Sequence, residues 1–307
     1  MKTNPLRLIL VSALAFAVTV VTVPSSLAQR QLGKKKGPTS KVYIAETKGE
    51  TQIQNGDKIY TARQATAFDA PGTVIETKAN SHNALVYSNG TGLFVDESTR
   101  VEINRFVQEP FRPERNNQLD SPYEPSMSQS DVFLSHGAIG ICTSQLVSGS
   151  SMLYSTPHAA INIRGGKVAI ESNPNETIVD LLEGDLTVRY NGRDVGGQIL
   201  HAGERAFIRP GATVGEEPTI TIGPIPREAM QRDDERVEMA CNAKKSVTFD
   251  IIERKAAEGL DQPTDTVPAD NEAAGADGGT QEIVANPTVP QTPPTNIVVS
   301  PDRLPGT

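Results

Sequence analysis

Tryptophan is absent from this chain of 307 residues, and 8 Phe with 6 Tyr hold the aromatic share to 5%. That is thin for a large, well-packed core. Cysteine is nearly absent too. Two residues, Cys142 and Cys241, exclude a disulfide-dense scaffold and a four-thiolate zinc site. There is no basic excess: a net charge of -8 argues against a nucleic-acid partner. His82, His136, His158 and His201 show neither HExxH nor HxH spacing. No GxSxG elbow, Walker loop or complete GxGxxG occurs, since Gly90-Thr91-Gly92 lacks a third glycine. The expectation is a non-enzyme with no catalytic residue, no cofactor and no metal site. Beyond residue 23 no run is apolar enough to cross a bilayer, so no transmembrane span is expected in the mature chain.

Glycine and proline, at 25 and 22 residues, interrupt the backbone often. The length allows one or two domains at ~100–200 residues each. Residues 1–28 stand apart. Lys2 and Arg7 precede an apolar run from Leu8 to Val23, and Ser26-Leu27-Ala28 offers the small-x-small pattern of a cleavage site. This predicts a secretory signal peptide removed after Ala28, hence a periplasmic or secreted protein; an uncleaved anchor is the alternative. Residues 29–40 form a basic linker with Arg30, Lys34, Lys35 and Lys36, a solvated arm or a contact for anionic lipid or acidic polysaccharide.

At the other end, 261–307 holds 8 of the prolines, no aromatic, and seven acidic side chains against Arg303. Such a composition cannot bury enough apolar surface to offset ordering entropy, so a disordered acidic Pro/Thr-rich tail is expected. A spacer role is its alternative. Residues 29–260 are near neutral, with 26 basic and 30 acidic side chains.

The middle reads as strands. Asn55-Gly56, Asn89-Gly90 and Asn191-Gly192 separate alternating runs, as type I′ hairpin turns do. Leu186, Val188 and Tyr190 alternate with Thr187 and Arg189, the period of a half-buried strand. Further short strands are expected at Val42–Glu46, Thr73–Thr77, Val101–Phe106, Val132–Leu134, Ala138–Cys142, Ser151–Ser155, Ala160–Arg164, Val168–Glu171, Thr177–Leu182, Gln198–His201, Ala206–Arg209 and Thr219–Ile222. No helical pattern separates them, so the fold class is all-β, an antiparallel β-sandwich or β-roll. The β domain spans 41–225, broken by a Pro-rich loop at 108–130 that is either a surface excursion or a binding loop. In 226–260, Arg227–Asn242 predicts one short helix, with Pro226 suited to its start, and Ser246–Glu253 a closing strand.

Two stretches carry a family pattern. Asn80-Ser81, Ala84-Leu85-Val86-Tyr87, Asn89-Gly90 and Asp96–Ile103 form the first. Thr156-Pro157 leading to Ile163-Arg164-Gly165, then Leu181-Leu182-Glu183-Gly184-Asp185-Leu186-Thr187-Val188, then Leu200-His201-Ala202-Gly203-Glu204 form the second. In order and spacing these resemble the FecR-domain family of extracytoplasmic bacterial proteins, over roughly residues 40–210. The resemblance implies a β-rich extracytoplasmic module with turns at Gly90, Gly165, Gly184 and Gly203. The family's founding members couple an outer-membrane receptor to a cytoplasmic sigma factor. That mechanism needs a cytoplasmic segment and a membrane span, which Met1–Arg7 does not supply, so it is not expected to carry over.

An oxidising compartment favours pairing of the two cysteines, and a Cys142–Cys241 disulfide is expected. The rival is a nucleophilic Cys142 served by His136 or His158. Glu183 and Asp185 share a strand face, as an acid–base pair or a solvated edge. The expected function is a non-catalytic FecR-like binding or assembly module of the bacterial envelope, acting through an exposed sheet edge or the 108–130 loop. Its partner is an envelope protein or glycan. Envelope signalling through a partner, a structural matrix role and an enzyme acting on envelope polymers are the alternatives.

Overall fold

The computed structural model of the chain describes residues 40–111, 121–191, 197–211, 218–254 and 280–287. The expected signal peptide and its cleavage after Ala28, the basic linker up to residue 39 and most of the tail lie outside the described residues.

Among the described residues seventeen strands and one helix follow in order: β1 (Lys41–Lys48), β2 (Thr51–Asn55), β3 (Lys58–Thr61), β4 (Ala67–Asp69), β5 (Thr73–Thr77), β6 (His82–Tyr87), β7 (Gly92–Val95), β8 (Arg100–Gln108), β9 (Ser128–Thr143), β10 (Ser151–Ser155), β11 (Ala159–Ser172), β12 (Thr177–Tyr190), β13 (Gln198–Leu200), β14 (Glu204–Arg209), β15 (Thr219–Pro224), α1 (Arg227–Lys245), β16 (Val247–Arg254) and β17 (Thr280–Pro287). The first fifteen form one sheet rolled into two layers. One layer runs β3-β2-β5-β8-β9-β10-β11-β12-β13. The other runs β4-β1-β6-β7-β9-β11-β12-β14-β15. The long strands β9, β11 and β12 belong to both, and bend from one layer into the other. All pairings are antiparallel except β9–β10, which is parallel.

The expected strand pieces within β9, β11 and β12 are therefore continuous strands. Gly165 and Gly184 are corrected accordingly: they lie inside β11 and β12, not at turns between strands. Gly166 pairs with Gly184 at this bend. A Cβ on Gly184 would stand 2.1 Å from the Gly165 carbonyl oxygen, and one on Gly166 1.9 Å from that of Glu183. Bare backbone lets the two strands close up where they turn the corner. Periodicity alone reads such glycines as breaks.

Two of the three expected hairpin turns differ from type I′ as well, while Gly192 of the third lies outside the described residues. Asn55 and Asn89 keep negative φ, while Gly56 and Gly90 take φ +58 and +83. The Gly90 N–H donates to the Tyr87 carbonyl, and the Asn89 side-chain oxygen accepts from the Thr91 N–H. This is a turn completed by a glycine bulge. Gly203 lies in the turn between β13 and β14.

Side chains alternate inward along each strand. Ile75, Leu85, Leu93, Ile103, Leu134, Ile139, Ile141 and Ile161 are fully buried between the layers. Each contributes ~1.5–3 kcal/mol relative to exposure. The few aromatics are concentrated here, with Tyr87 edge-on to Phe106 at 4.9 Å.

A second, smaller core lies outside the β6–β7 layer, where α1 packs. Tyr43, Ala84, Val86 and Phe94 meet Ala240, Ala243, Val247 and Phe249. A Cβ on Gly92 would stand 2.0 Å from the Ala240 carbonyl oxygen, and one on Gly140 2.5 Å from that of Arg236. The two glycines form the seat on which the helix backbone rests. The Cys142 and Cys241 sulfurs are bonded, across a sequence separation of 99, and fasten α1 to β9. The helix is longer than expected, at 19 residues. Its buried positions Ala229, Asp233, Val237, Ala240 and Ala243 have helical spacing but small or charged side chains, so its apolar stripe is faint in sequence.

β16 pairs along its length with β17. β17, Thr280–Pro287, lies within the stretch expected to be a disordered tail.

Candidate functional site

The residues singled out for chemistry are not brought together. Cys142 is bonded to Cys241, which removes its thiol as a nucleophile. His82 lies 3.3 Å from Glu46 and 5.3 Å from the Phe94 ring. His136 pairs with Arg100 across β8–β9. The His158 ring contacts the carbonyls of Asn173 and Pro174 at 3.3 and 3.2 Å. His201 is exposed in the β13–β14 turn. Glu183 is exposed and paired with Lys167 at 2.8 Å, beside the exposed Asp185. Among the described residues no group of three or more His, Cys, Asp or Glu is placed to hold a metal.

The 108–130 loop is shorter than expected, because β8 runs to Gln108 and β9 starts at Ser128. Its described part is anchored. The Glu124 N–H donates to the Gln145 carbonyl, and the Gln145 N–H to that of Pro122. The buried Glu124 carboxylate accepts from Ser128 Oγ at 2.6 Å and from the Val147 N–H at 3.0 Å. Burial raises its pKa, against the pull of these donors. Residues 121–127 are therefore tied to the start of β9 and to the segment that follows it; residues 112–120 lie outside the described residues.

The roll is open where β3 and β4 form its edges. Among the described residues β3 pairs only with β2, and β4 only with β1. These are the edges of the two layers, joined by the short connection 62–66. That connection is laced to β1: the Ile44 N–H donates to the Thr66 carbonyl and the Ala65 N–H to that of Ile44. Between the edges lies a groove of about 720 Å³, with Ile44, Ile53, Ala62 and Phe68 as its apolar lining.

Its rim is polar and fixed. Lys41 Nζ meets Asp69 Oδ1 at 3.0 Å. The Asn55 amide donates to the Asp69 carbonyl at 3.0 Å and to Thr73 Oγ1 at 2.6 Å. Arg63 is exposed beside it.

All four residues of β3 are exposed. Cross-strand pairing puts Tyr60 opposite Ile53 and Ile59 opposite Gln54. Tyr60, 47% exposed, therefore lines the groove, while Ile59, 66% exposed, faces outward. In an antiparallel ladder alternate residues direct N–H and C=O away from the neighbour, so β3 presents unpaired donors and acceptors at the groove. This geometry accommodates an extended polypeptide as an added strand with an apolar side chain in the groove. The Lys-Ile-Tyr-Thr run was legible as part of a hairpin. Its position at an unpaired edge is a matter of topology, which no residue pattern reports.

No family model matches the chain, and no curated protein matches it. Among solved structures, two crystal structures of a protein from Parabacteroides distasonis ATCC 8503, each provisionally described as an anti-sigma factor, resemble it. One has 13% identity and a TM-score of 0.34, covering 53% of this chain and 73% of that one. The other has 12% identity and a TM-score of 0.34, covering 54% and 74%. Likeness at that level carries no argument about function. No helix among the described residues is long and apolar enough to cross a membrane, which says nothing of a β-barrel. The disulfide is compatible with an oxidising, extracytoplasmic compartment.

Proposed function

We propose that this protein is a non-catalytic, extracytoplasmic FecR-like module of the bacterial envelope that works by taking up a segment of a partner polypeptide at the open end of the roll. The observation that supports this reading is the coincidence of a wholly exposed strand, without a second partner among the described residues, with an apolar groove: β3 and the Ile44–Ile53–Phe68 lining. An added strand satisfies the backbone groups of β3, and a side chain beside Tyr60 fills the groove. The signalling and assembly readings share this step. They part on whether the strand comes from a regulatory partner or from another copy of the chain.

The test is a photo-crosslinking amino acid placed at position 60, or at Ile199 on the opposite edge strand β13, in the full chain in its native cell. An adduct with one polypeptide at position 60, absent at 199 and abolished by Thr61→Pro, is the expected result. Equal adducts at both positions, an adduct indifferent to Thr61→Pro, or a glycan adduct would overturn the proposal.

A further inference from the structure

Helix α1 is attached in two different ways along its length. Its second half is held covalently through Cys241 and by Ala240 and Ala243 over the glycine seat. Its first half has little apolar anchorage: Ala229 and Val237 are its only buried apolar side chains. Gly140 seats the backbone only at Arg236 and Val237; the turns before them are held by a charged cluster built around Asp233, 2% exposed.

Each neighbouring element contributes to that cluster. From β14, Arg205 Nη2 stands 3.3 Å from Asp233 Oδ2. Its Nε donates at 2.6 Å to Asp180 Oδ1 on β12, and Nη2 donates to Asp180 Oδ2. From α1, Arg236 Nη1 lies 3.2 Å and Arg232 Nε 3.7 Å from Asp233 Oδ1. Arg236 Nε reaches Asp96, between β7 and β8, at 2.7 Å. Arg232 and Arg236 both approach Glu171 of β11, at 3.6 and 3.7 Å.

Among the described residues the charges do not balance. Asp96, Glu171, Asp180 and Asp233 are four carboxylates; Arg205, Arg232 and Arg236 are three guanidiniums. Asp180 and Asp233 lie on the same guanidinium nitrogen, and both are buried. An uncompensated buried charge costs several kcal/mol, so such a site takes up a proton.

We propose that α1 is a proton-operated latch: one proton held on Asp233, beside Asp180, keeps the first half of the helix seated on the sheet, and its loss lifts that half while the disulfide retains the second. Desolvation, and then the hydrogen bond and charge of Asp180, push the Asp233 carboxyl up to about 7, against the pull of Arg232 and Arg236. The seated state therefore binds the proton more tightly than the lifted one. Seating is strongest below the ordinary carboxylate range and weakens as pH rises from there through about 7.

Amide hydrogen exchange on the full disulfide-bonded chain at about pH 5.5 and 8, corrected for the intrinsic pH dependence of exchange, reads the latch. Opening across residues 227–235 is expected to rise roughly thirty-fold between the two, with residues 240–245 nearly unchanged. In Asp233→Asn, whose amide donates as the protonated acid does, the pH dependence is expected to disappear. Carbon-13 NMR of the aspartate carboxyl carbons in the wild-type chain supplies a readout that needs no variant: one resonance titrating near pH 7. Equal protection at both pH values, an unaltered pH response in Asp233→Asn, or no aspartate titrating above about pH 5.5 would overturn the proposal.

Discussion

The outer face of the β6–β7 layer and the open end at β3–β4 pose the same physical problem with different outcomes. Each exposes sheet that can accept another element. The outer face is covered by the chain's own helix, and three features build that cover. Gly92 and Gly140 leave room for the helix backbone, Cys142–Cys241 ties it down, and a buried ionic cluster fixes its first half. The open end has an apolar lining and a rigid rim, yet β3 has no second partner among the described residues. A covered face shows its cover in residue size and charge. An uncovered edge beside an apolar groove is where a partner is expected.

Removing the covalent part of the cover should have the largest effect. The double variant Cys142→Ala, Cys241→Ala is expected to lose about 4 kcal/mol in urea unfolding, given the long loop that the bond closes. Gly140→Val should cost about 2–3 kcal/mol, because its side chain meets the Arg236 carbonyl and the helix must lift. Its thermal midpoint should fall with the strand content kept in circular dichroism.

At the open end the pattern should invert. Thr61→Pro removes a donor only from the β3 edge. It should change stability by about 0.5 kcal/mol or less while lowering partner capture at position 60 at least about tenfold. Ile59→Lys, on the outward side of the same strand, should change neither stability nor capture by more than about twofold. A large loss of stability from Thr61→Pro would break the comparison, because β3 would then be part of the framework.

Strand identity was legible wherever apolar and polar residues alternate, as in Thr51–Asn55 and Leu186–Tyr190. Where a strand bends, it was not: Gly137, Gly166 and Gly184 permit a corner, and a one-dimensional pattern cannot separate a corner from a turn. The short β4, Ala67–Asp69, has three residues and no period to read. Cys142 and Cys241 were legible because only one intramolecular pairing exists. The Asp180–Arg205–Asp233 cluster was not, since its members lie on three elements and each resembles a solvated charge in sequence. The groove was hidden for a similar reason. Ile44 and Ile53 are ordinary core positions in their strands, and only the rolled topology brings them to an open end. The FecR-like pattern covers the β framework and assigns no residue to the groove.

The central claim concerns the edge of β3, and amide exchange across residues 58–61 in the isolated complex with the crosslinked partner tests it most directly. Strand addition predicts that these amides slow markedly relative to the free chain while those of 198–200 in β13 stay unchanged. Unaltered exchange at 58–61 in a complex that forms would contradict it.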